Sequence, residues 1–291
     1  MLEGKILKGI GGFYYVKTTQ GIIECRARGI FREENLTPLV GDNVKLRISK
    51  EDNSGYIEKI MPRKNELIRP PVANVSQIII VMSIKKPNIN TLLLDKYLMM
   101  VEQNDLSIVI CFNKSDLASY EFENFKAIYE QIGYRVILTS NKLNMGIDEL
   151  KDTLKDHTTV LAGPSGVGKS SLLNNLKPEL QRETGDISRK SSRGKHTTRS
   201  VELLEISDET YVLDTPGFSS LDVSFINEPI EVRNYFKEIN KYGLECRFQS
   251  CLHDKEPNCA IKEYVGSGQI NRERYENYLL VLNEIRNIRR Y

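Results

Sequence analysis

Long hydrophobic runs, net charge and paired cysteines are all scarce in this 291-residue chain, and each scarcity removes a class of protein. The longest apolar runs, such as Ile78 to Met82 and Leu92 to Leu94, fall far short of the roughly 20 residues that cross a bilayer, and no basic-then-apolar signal segment opens the sequence. A cytoplasmic protein with no membrane partner is expected. The formal charge of +2 is too small for whole-molecule attraction to a polyanion, so nucleic-acid binding would have to come from local patches. Five cysteines make an odd number, and three of them gather near the C-terminus with a histidine, a pattern of metal ligation rather than disulfides. Cys25 and Cys111 each lie inside an apolar stretch and read as small buried hydrophobes. With 40% hydrophobic and 27% charged residues, the chain can bury a core large enough for two or three domains.

What is present begins with short β-branched or alternating runs between Gly4 and about Ile60: Tyr14 to Lys17, Ile22 to Arg26, Asn43 to Ile48 and Tyr56 to Ile60. Gly11-Gly12, Gly21, Gly41-Asp42 and Gly55 punctuate them. About five strands of this length suit a barrel of the oligonucleotide-binding (OB) type, placed here at residues 1–66. Lys5, Lys8, Arg26, Arg28, Arg32, Lys45 and Arg47 are candidates to line an RNA-binding face. Alternate positions on any such barrel must face water, so they also fit an ordinary solvated surface.

From Ser76, apolar strands alternate with helical segments, the signature of a mostly parallel α/β sheet, assigned to residues 67–222. Strands are expected at Gln77 to Ile84, Ser107 to Phe112, Arg135 to Thr139, Thr158 to Ala162, Val201 to Ile206 and Thr210 to Leu213. Helices are expected near Thr91 to Gln103, Tyr120 to Ile132, Gly146 to Asp156 and Lys169 to Leu176; Asn90 caps the first, with Leu92, Leu93, Tyr97 and Met100 inward. Between a strand and a helix lies Gly163-Pro164-Ser165-Gly166-Val167-Gly168-Lys169-Ser170, a loop whose glycines let backbone N–H groups close around a β-phosphate. Lys169 is expected on the β- and γ-phosphates, Ser170 on Mg²⁺ and Ser171 beside the α-phosphate.

Asn113-Lys114-Ser115-Asp116 follows another apolar strand and suits guanine. The Asp116 carboxylate can accept from N1–H and the exocyclic amine, whereas adenine would leave it unpaired. Asn113 would pin the loop and reach the base edge, Lys114 would lay its stem over the ring, and the Ser140 backbone would meet the guanine oxygen. Asp214-Thr215-Pro216-Gly217 completes the set, with Asp214 holding Mg²⁺ through water and the Gly217 N–H touching the γ-phosphate. Because the guanine motif precedes the phosphate loop, the chain reads as a circularly permuted P-loop GTPase that uses GTP, GDP and Mg²⁺.

Phe218 stands where many GTPases carry the glutamine that orients water, so slow intrinsic hydrolysis and a stimulating partner are expected. The run from Arg189 to Arg199 is basic. Within it Thr198, with Thr197 as second choice, is a candidate to complete the Mg²⁺ shell. His196 either orients water or stabilises charge, or is one more polar residue of an RNA-facing loop. His196, Thr198 and Lys169 form the expected catalytic set. Cys246, Cys251, His253 and Cys259, spaced Cys-X4-Cys-X-His-X5-Cys, suit a closed structural Zn²⁺ site in a helical domain of residues 223–291. Helical segments flank the cluster at Glu228 to Lys241 and Asn271 to Arg289. The last presents Tyr275, Tyr278, Leu279, Leu282 and Ile285 on one face, with Arg286, Arg289 and Arg290 near its end.

The barrel, the permuted order with Gly163 to Ser171 and Asp214 to Phe218, the run Gly194-Lys195-His196-Thr197-Thr198 and the Cys246, Cys251, His253, Cys259 cluster together resemble the ribosome small-subunit-dependent GTPase A family over essentially the whole chain. The resemblance implies a multidomain α/β protein: an OB-fold barrel, a circularly permuted P-loop GTPase domain and a C-terminal helical zinc-binding domain. It also implies a monomeric bacterial assembly factor that binds the maturing 30S subunit and its 16S rRNA, is stimulated by that particle and departs after hydrolysis. Two other readings stand beside it. A P-loop ATPase or small-molecule kinase would contradict Asp116, and a scaffold holding GTP as a structural ligand would be consistent with Phe218.

Overall fold

The computed structural model describes residues 1–29, 31, 36–49, 54–68, 70–104, 106–119, 121–178, 201–214, 223 and 225–288. His196, Thr197, Thr198 and the rest of the basic run, together with Gly217, Phe218, Arg32, Arg289, Arg290 and the side chain of Asp214, lie outside the described residues.

Strands β1 (Leu2–Ile10), β2 (Phe13–Thr18), β3 (Gly21–Ala27), β4 (Asn43–Ile48) and β5 (Gly55–Ile60) close in the order β1-β2-β3-β5-β4, and β4 returns antiparallel to β1. Side chains alternate across a strand, so Ile6, Val16, Cys25, Val44, Leu46 and Ile57 fill the buried interior. Short strands β6 (Glu66–Leu67) and β7 (Val72–Ala73) follow. Arg63 fastens this connector to the barrel, donating to buried Asp42 from Nε at 2.7 Å and NH2 at 2.8 Å.

The expected basic face divides. Lys8 meets Glu202 at 2.7 Å, Lys17 pairs with Glu205, and the Lys5 amine stands 5.3 Å from the Tyr211 ring centroid. Lys5 and Lys8 therefore hold the barrel against the next sheet, and burial lowers the Lys5 pKa. Lys45 pairs with Glu3, while Arg28 and Arg47 share Glu58.

That sheet comprises β8 (Gln77–Ser83), β9 (Ser107–Asn113), β10 (Arg135–Thr139), β11 (Thr158–Ala162), β12 (Leu203–Ser207) and β13 (Thr210–Asp214). Its order is β10-β9-β8-β11-β13-β12, with β12 antiparallel and the other pairings parallel. Every residue of β8 and β11 is buried, as expected of strands covered on both faces. Helices α1 (Thr91–Glu102), α2 (Glu121–Gln131), α3 (Ile147–Leu154) and α4 (Lys169–Leu176) join them. Asn90 caps α1 as expected, its Oδ1 accepting from the Leu93 N–H at 2.9 Å.

The inward face of α1 differs from the expected stripe. Leu94, Asp95, Tyr97, Leu98, Met99 and Val101 are buried, whereas Leu92, Leu93 and Met100 are partly so. The helix packs on β8 and also on the C-terminal helices, so two of its faces are covered. Met99 enters the C-terminal core beside Phe236, Ile239, Ile261, Tyr278 and Leu282.

The C-terminal region holds a 3-10 helix (Pro229–Tyr235), α5 (Lys237–Gly243), α6 (Ala260–Gly266) and α7 (Arg272–Ile288). The helical stretch expected over Glu228 to Lys241 breaks at Phe236, whose extended backbone lets its fully buried ring meet Tyr278 edge-on at 5.5 Å. Helix α6 was not anticipated. Buried Arg274 of α7 donates to Glu238 from Nε and NH2 at 2.8 and 2.9 Å, and from NH1 to Asp95 of α1. Asn277 donates to the other Asp95 oxygen at 2.7 Å. Burial opposes the guanidinium charge, but Asp95 and Glu238 outweigh it and hold the Arg274 pKa above its ordinary value.

Candidate active site and metal centre

Parallel strands deliver their C-terminal ends to one edge, where open α/β sheets form ligand crevices. Register sets Ser83, Asn113 and Thr139 side by side there, and aligns Leu161 with Asp214. Asn113 is buried and donates from Nδ2 to the Val167 carbonyl at 2.8 Å, while the Thr139 hydroxyl donates to its Oδ1 at 3.2 Å. The base motif thus grips the phosphate loop directly. Lys114, at φ +61, donates from Nζ to Gly166 O at 2.8 Å and to Lys86 O.

Two glycines of the loop are required by space as well as by backbone conformation. Gly163 has φ +133 and Gly168 φ +99; a Cβ at the first would strike Val81 O, and at the second Asn113 Nδ2. Lys169 turns its amine into the loop, 2.7 Å from Gly163 O and 2.9 Å from Pro164 O. Helix α4 is anchored by buried Leu172, Leu173 and Leu176, leaving Ser170 and Ser171 exposed in its first turn. Ser165 and Gly166 are exposed at the loop's tip and Val167 is buried beneath it.

Asp116 sits on the 3-10 turn Ser115–Leu117, and Ser140 Oγ donates to its Oδ1 at 2.6 Å. The Ser140 N–H, expected on the guanine oxygen, donates to Met145 O at 3.0 Å, and it is the Ser140 hydroxyl that holds the Asp116 carboxylate. Thr139 was not singled out by sequence; its place at a strand end beside Ser140 was the available signal. Cys25 and Cys111 are buried as expected, and burial pushes their thiols up to about 11 and about 12.

The metal ligands also converge. Cys246 and Cys251 Sγ each lie 3.8 Å from Cys259 Sγ, and His253 Nδ1 lies 3.4 Å from the sulfurs of Cys246 and Cys259. A zinc ion with bonds of about 2.3 Å to sulfur and about 2.0 Å to nitrogen spaces tetrahedral ligands about 3.5–3.8 Å apart, so the donor set fits it. All four ligand atoms fall within 4.8 Å of one another. Burial first, then the charge of Arg233, lowers His253 to about 4 and keeps its imidazole neutral for ligation. Burial pushes the Cys251 thiol up to about 12, so a cation is what would bring out its thiolate.

Tyr275 and Tyr278, expected only as an apolar face, donate to the carbonyls of His253 and Leu252 at 2.6 and 2.8 Å and clamp the ligand loop onto α7. Glu256 accepts the N–H groups of Leu252 and Asp254, and Arg286 pairs with Asp254 at 2.7 Å.

An OB-type barrel beside a reordered P-loop sheet, with the guanine-type motif bonded to the phosphate loop, defines a circularly permuted GTPase. A family profile described as RsgA GTPase matches residues 60–224, and one described as RsgA N-terminal domain matches residues 3–57. The chain belongs to the RsgA GTPase family and is a GTP-hydrolysing enzyme. A small ribosomal subunit biogenesis GTPase RsgA of Caldanaerobacter subterraneus subsp. tengcongensis is 50% identical over 286 residues, covering 98% of this chain and 96% of its own. One of Clostridium perfringens strain 13 is 50% identical over 289 residues, covering 99% of both. The crystal structure of YloQ, a circularly permuted GTPase, matches with TM-score 0.79 at 41% identity over 99% of this chain and 96% of that one. YjeQ from Thermotoga maritima matches with TM-score 0.81 at 38% identity over 98% of both.

Proposed function

We propose that this enzyme hydrolyses GTP to GDP and phosphate during late maturation of the small ribosomal subunit, a step within the small-subunit biogenesis that its relatives' descriptions name. The observation that carries the nucleotide reading is the bond from Asn113 to Val167 O, which makes base motif and phosphate loop one rigid clasp. Asp116 reads guanine N1–H and the amine, Lys114 covers the ring, and Ser140 orients Asp116. N–H groups from Ser165 to Ser170 cradle the phosphates, Lys169 neutralises β and γ, Ser171 attends α, and the Gly217 N–H senses γ. Ser170, Asp214 and Thr198 would hold Mg²⁺, which when bound supplies charge neutralisation at the transferring phosphoryl group. His196 positions the attacking water, since Phe218 has no group to do so.

The zinc cluster, filled by four protein ligands, acts structurally and holds the region 223–291, as the barrel organises 1–66 and the nucleotide sheet 67–222. The monomeric, cytoplasmic enzyme binds the 30S particle through 16S rRNA, is stimulated by it and leaves after hydrolysis. Phosphate release from GTP by the full-length protein, measured with and without isolated 30S subunits, tests this reading. Strong stimulation that falls at least about tenfold in His196→Ala is expected; equal turnover with and without subunits removes the ribosomal role.

A further inference from the structure

One row of the barrel's outer face combines rings and guanidinium groups. Phe13 on β2 lies opposite Arg26 on β3, Arg26 opposite Tyr56 on β5, and Tyr56 opposite Arg47 on β4. Four neighbouring strands therefore set ring, guanidinium, ring and guanidinium in line, at positions alternate to the buried Cys25, Ile57 and Leu46. Arg26 Cζ stands 4.9 Å from the Phe13 centroid and Arg47 Cζ 5.5 Å from the Tyr56 centroid. Both arginines are exposed and both rings half-buried, so each ring is anchored and backs an exposed guanidinium that lies over it.

Charge on this row is positive. Glu58 beside it is already shared by Arg28 and Arg47 at 2.6 and 3.3 Å, and among the described residues no carboxylate pairs with Arg26. The row contains no aliphatic side chain, which a dry protein interface would need. Aromatic faces interleaved with arginine suit nucleobases, which stack on both, and the positive field suits the chain that carries them. The docked side of the barrel lies elsewhere, at Lys5, Lys8 and Lys17.

We propose that Phe13, Arg26, Tyr56 and Arg47 form a stacking platform for an unpaired RNA segment, with one base on each ring-backed guanidinium and the positive charge meeting the backbone. The platform rests on the reading of rRNA as partner and narrows it to single-stranded sequence. Its test is fluorescence anisotropy of the full-length protein with a short labelled RNA, an abasic oligomer of equal length and charge, and a duplex of equal length. The single strand should bind at least about tenfold tighter than the abasic oligomer, and Phe13→Leu/Tyr56→Leu should weaken it about 10–100-fold while leaving abasic binding unchanged. Unstimulated GTP turnover of that variant should match the wild type, since neither ring belongs to the nucleotide site.

Equal affinity for single-stranded and abasic oligomers, a preference for duplex, or an unaffected double variant overturns the platform. Turnover of the wild type with 30S subunits separates the two levels. Stimulation alongside any of those results sinks the platform alone, and no stimulation alongside them sinks the ribosomal reading as well.

Discussion

Removing the guanidinium at the junction of α1 and the C-terminal helices should be among the most damaging single changes in the chain. Arg274→Met keeps most of the side-chain volume but deletes the three hydrogen bonds to Asp95 and Glu238, leaving two carboxylates in a site where Asp95 is 0% exposed. Breaking a buried pair in this way costs about 3–5 kcal/mol, against a total stability of about 5–15 kcal/mol for a folded domain. With a urea m-value of about 2.5–3 kcal/mol/M, the midpoint followed by circular dichroism should fall by about 1–2 M. The pH dependence has a definite sign. Burial already raises the Asp95 pKa even with Arg274 present, and loss of the cation removes its main opposing influence. A carboxyl with a raised folded pKa contributes stability fully below its unfolded value of about 3.9 and loses it as pH rises through the folded value. The gap between variant and wild type should therefore be widest near pH 8 and narrow toward pH 5. A gap under about 1 kcal/mol, or one that widens on acidification, would refute the idea that this charge network holds the junction.

Other outcomes follow from the sites. Asp116→Asn should lower GTP affinity at least about 100-fold in equilibrium binding, because a carboxylate accepting two guanine donors is replaced by an amide that opposes one of them; xanthosine triphosphate, with an oxygen in place of the amine, should bind the variant better than the wild type. Asn113→Ala strips the donor from Val167 O and should weaken GTP and GDP alike by about tenfold, the value of one buried hydrogen bond. Cys259→Ser should reduce bound zinc, measured by mass spectrometry of metal content, from one ion per chain to nearly none, with loss of helical signal from the C-terminal region; full retention of metal would exclude Cys259 as a ligand.

Local chemistry was legible where spacing alone carries it. The phosphate loop, the base motif and the Cys-X4-Cys-X-His-X5-Cys cluster are short patterns whose meaning survives without neighbours, and β10, β11 and α4 end where apolar runs and glycines end. The break at Phe236 and helix α6 were not legible, because a seven-residue helix has weak periodicity and Phe236 leaves helical geometry for the sake of a distant ring, Tyr278. The basic barrel residues looked alike in sequence, yet Lys5 and Lys8 join the sheet while Arg26 and Arg47 lie over aromatic rings.

By itself, then, the sequence determined the chemistry available: which side chains can read guanine, cradle phosphate or bind zinc, and that the strands arrive in permuted order. Tertiary structure decided which of them meet. Asn113 reaches Val167 across 54 positions, Asp95 meets Arg274 across 179, and Lys8 meets Glu202 across 194. Such pairings depend on strand register and helix packing over the whole chain, and no local propensity encodes a partner that far away.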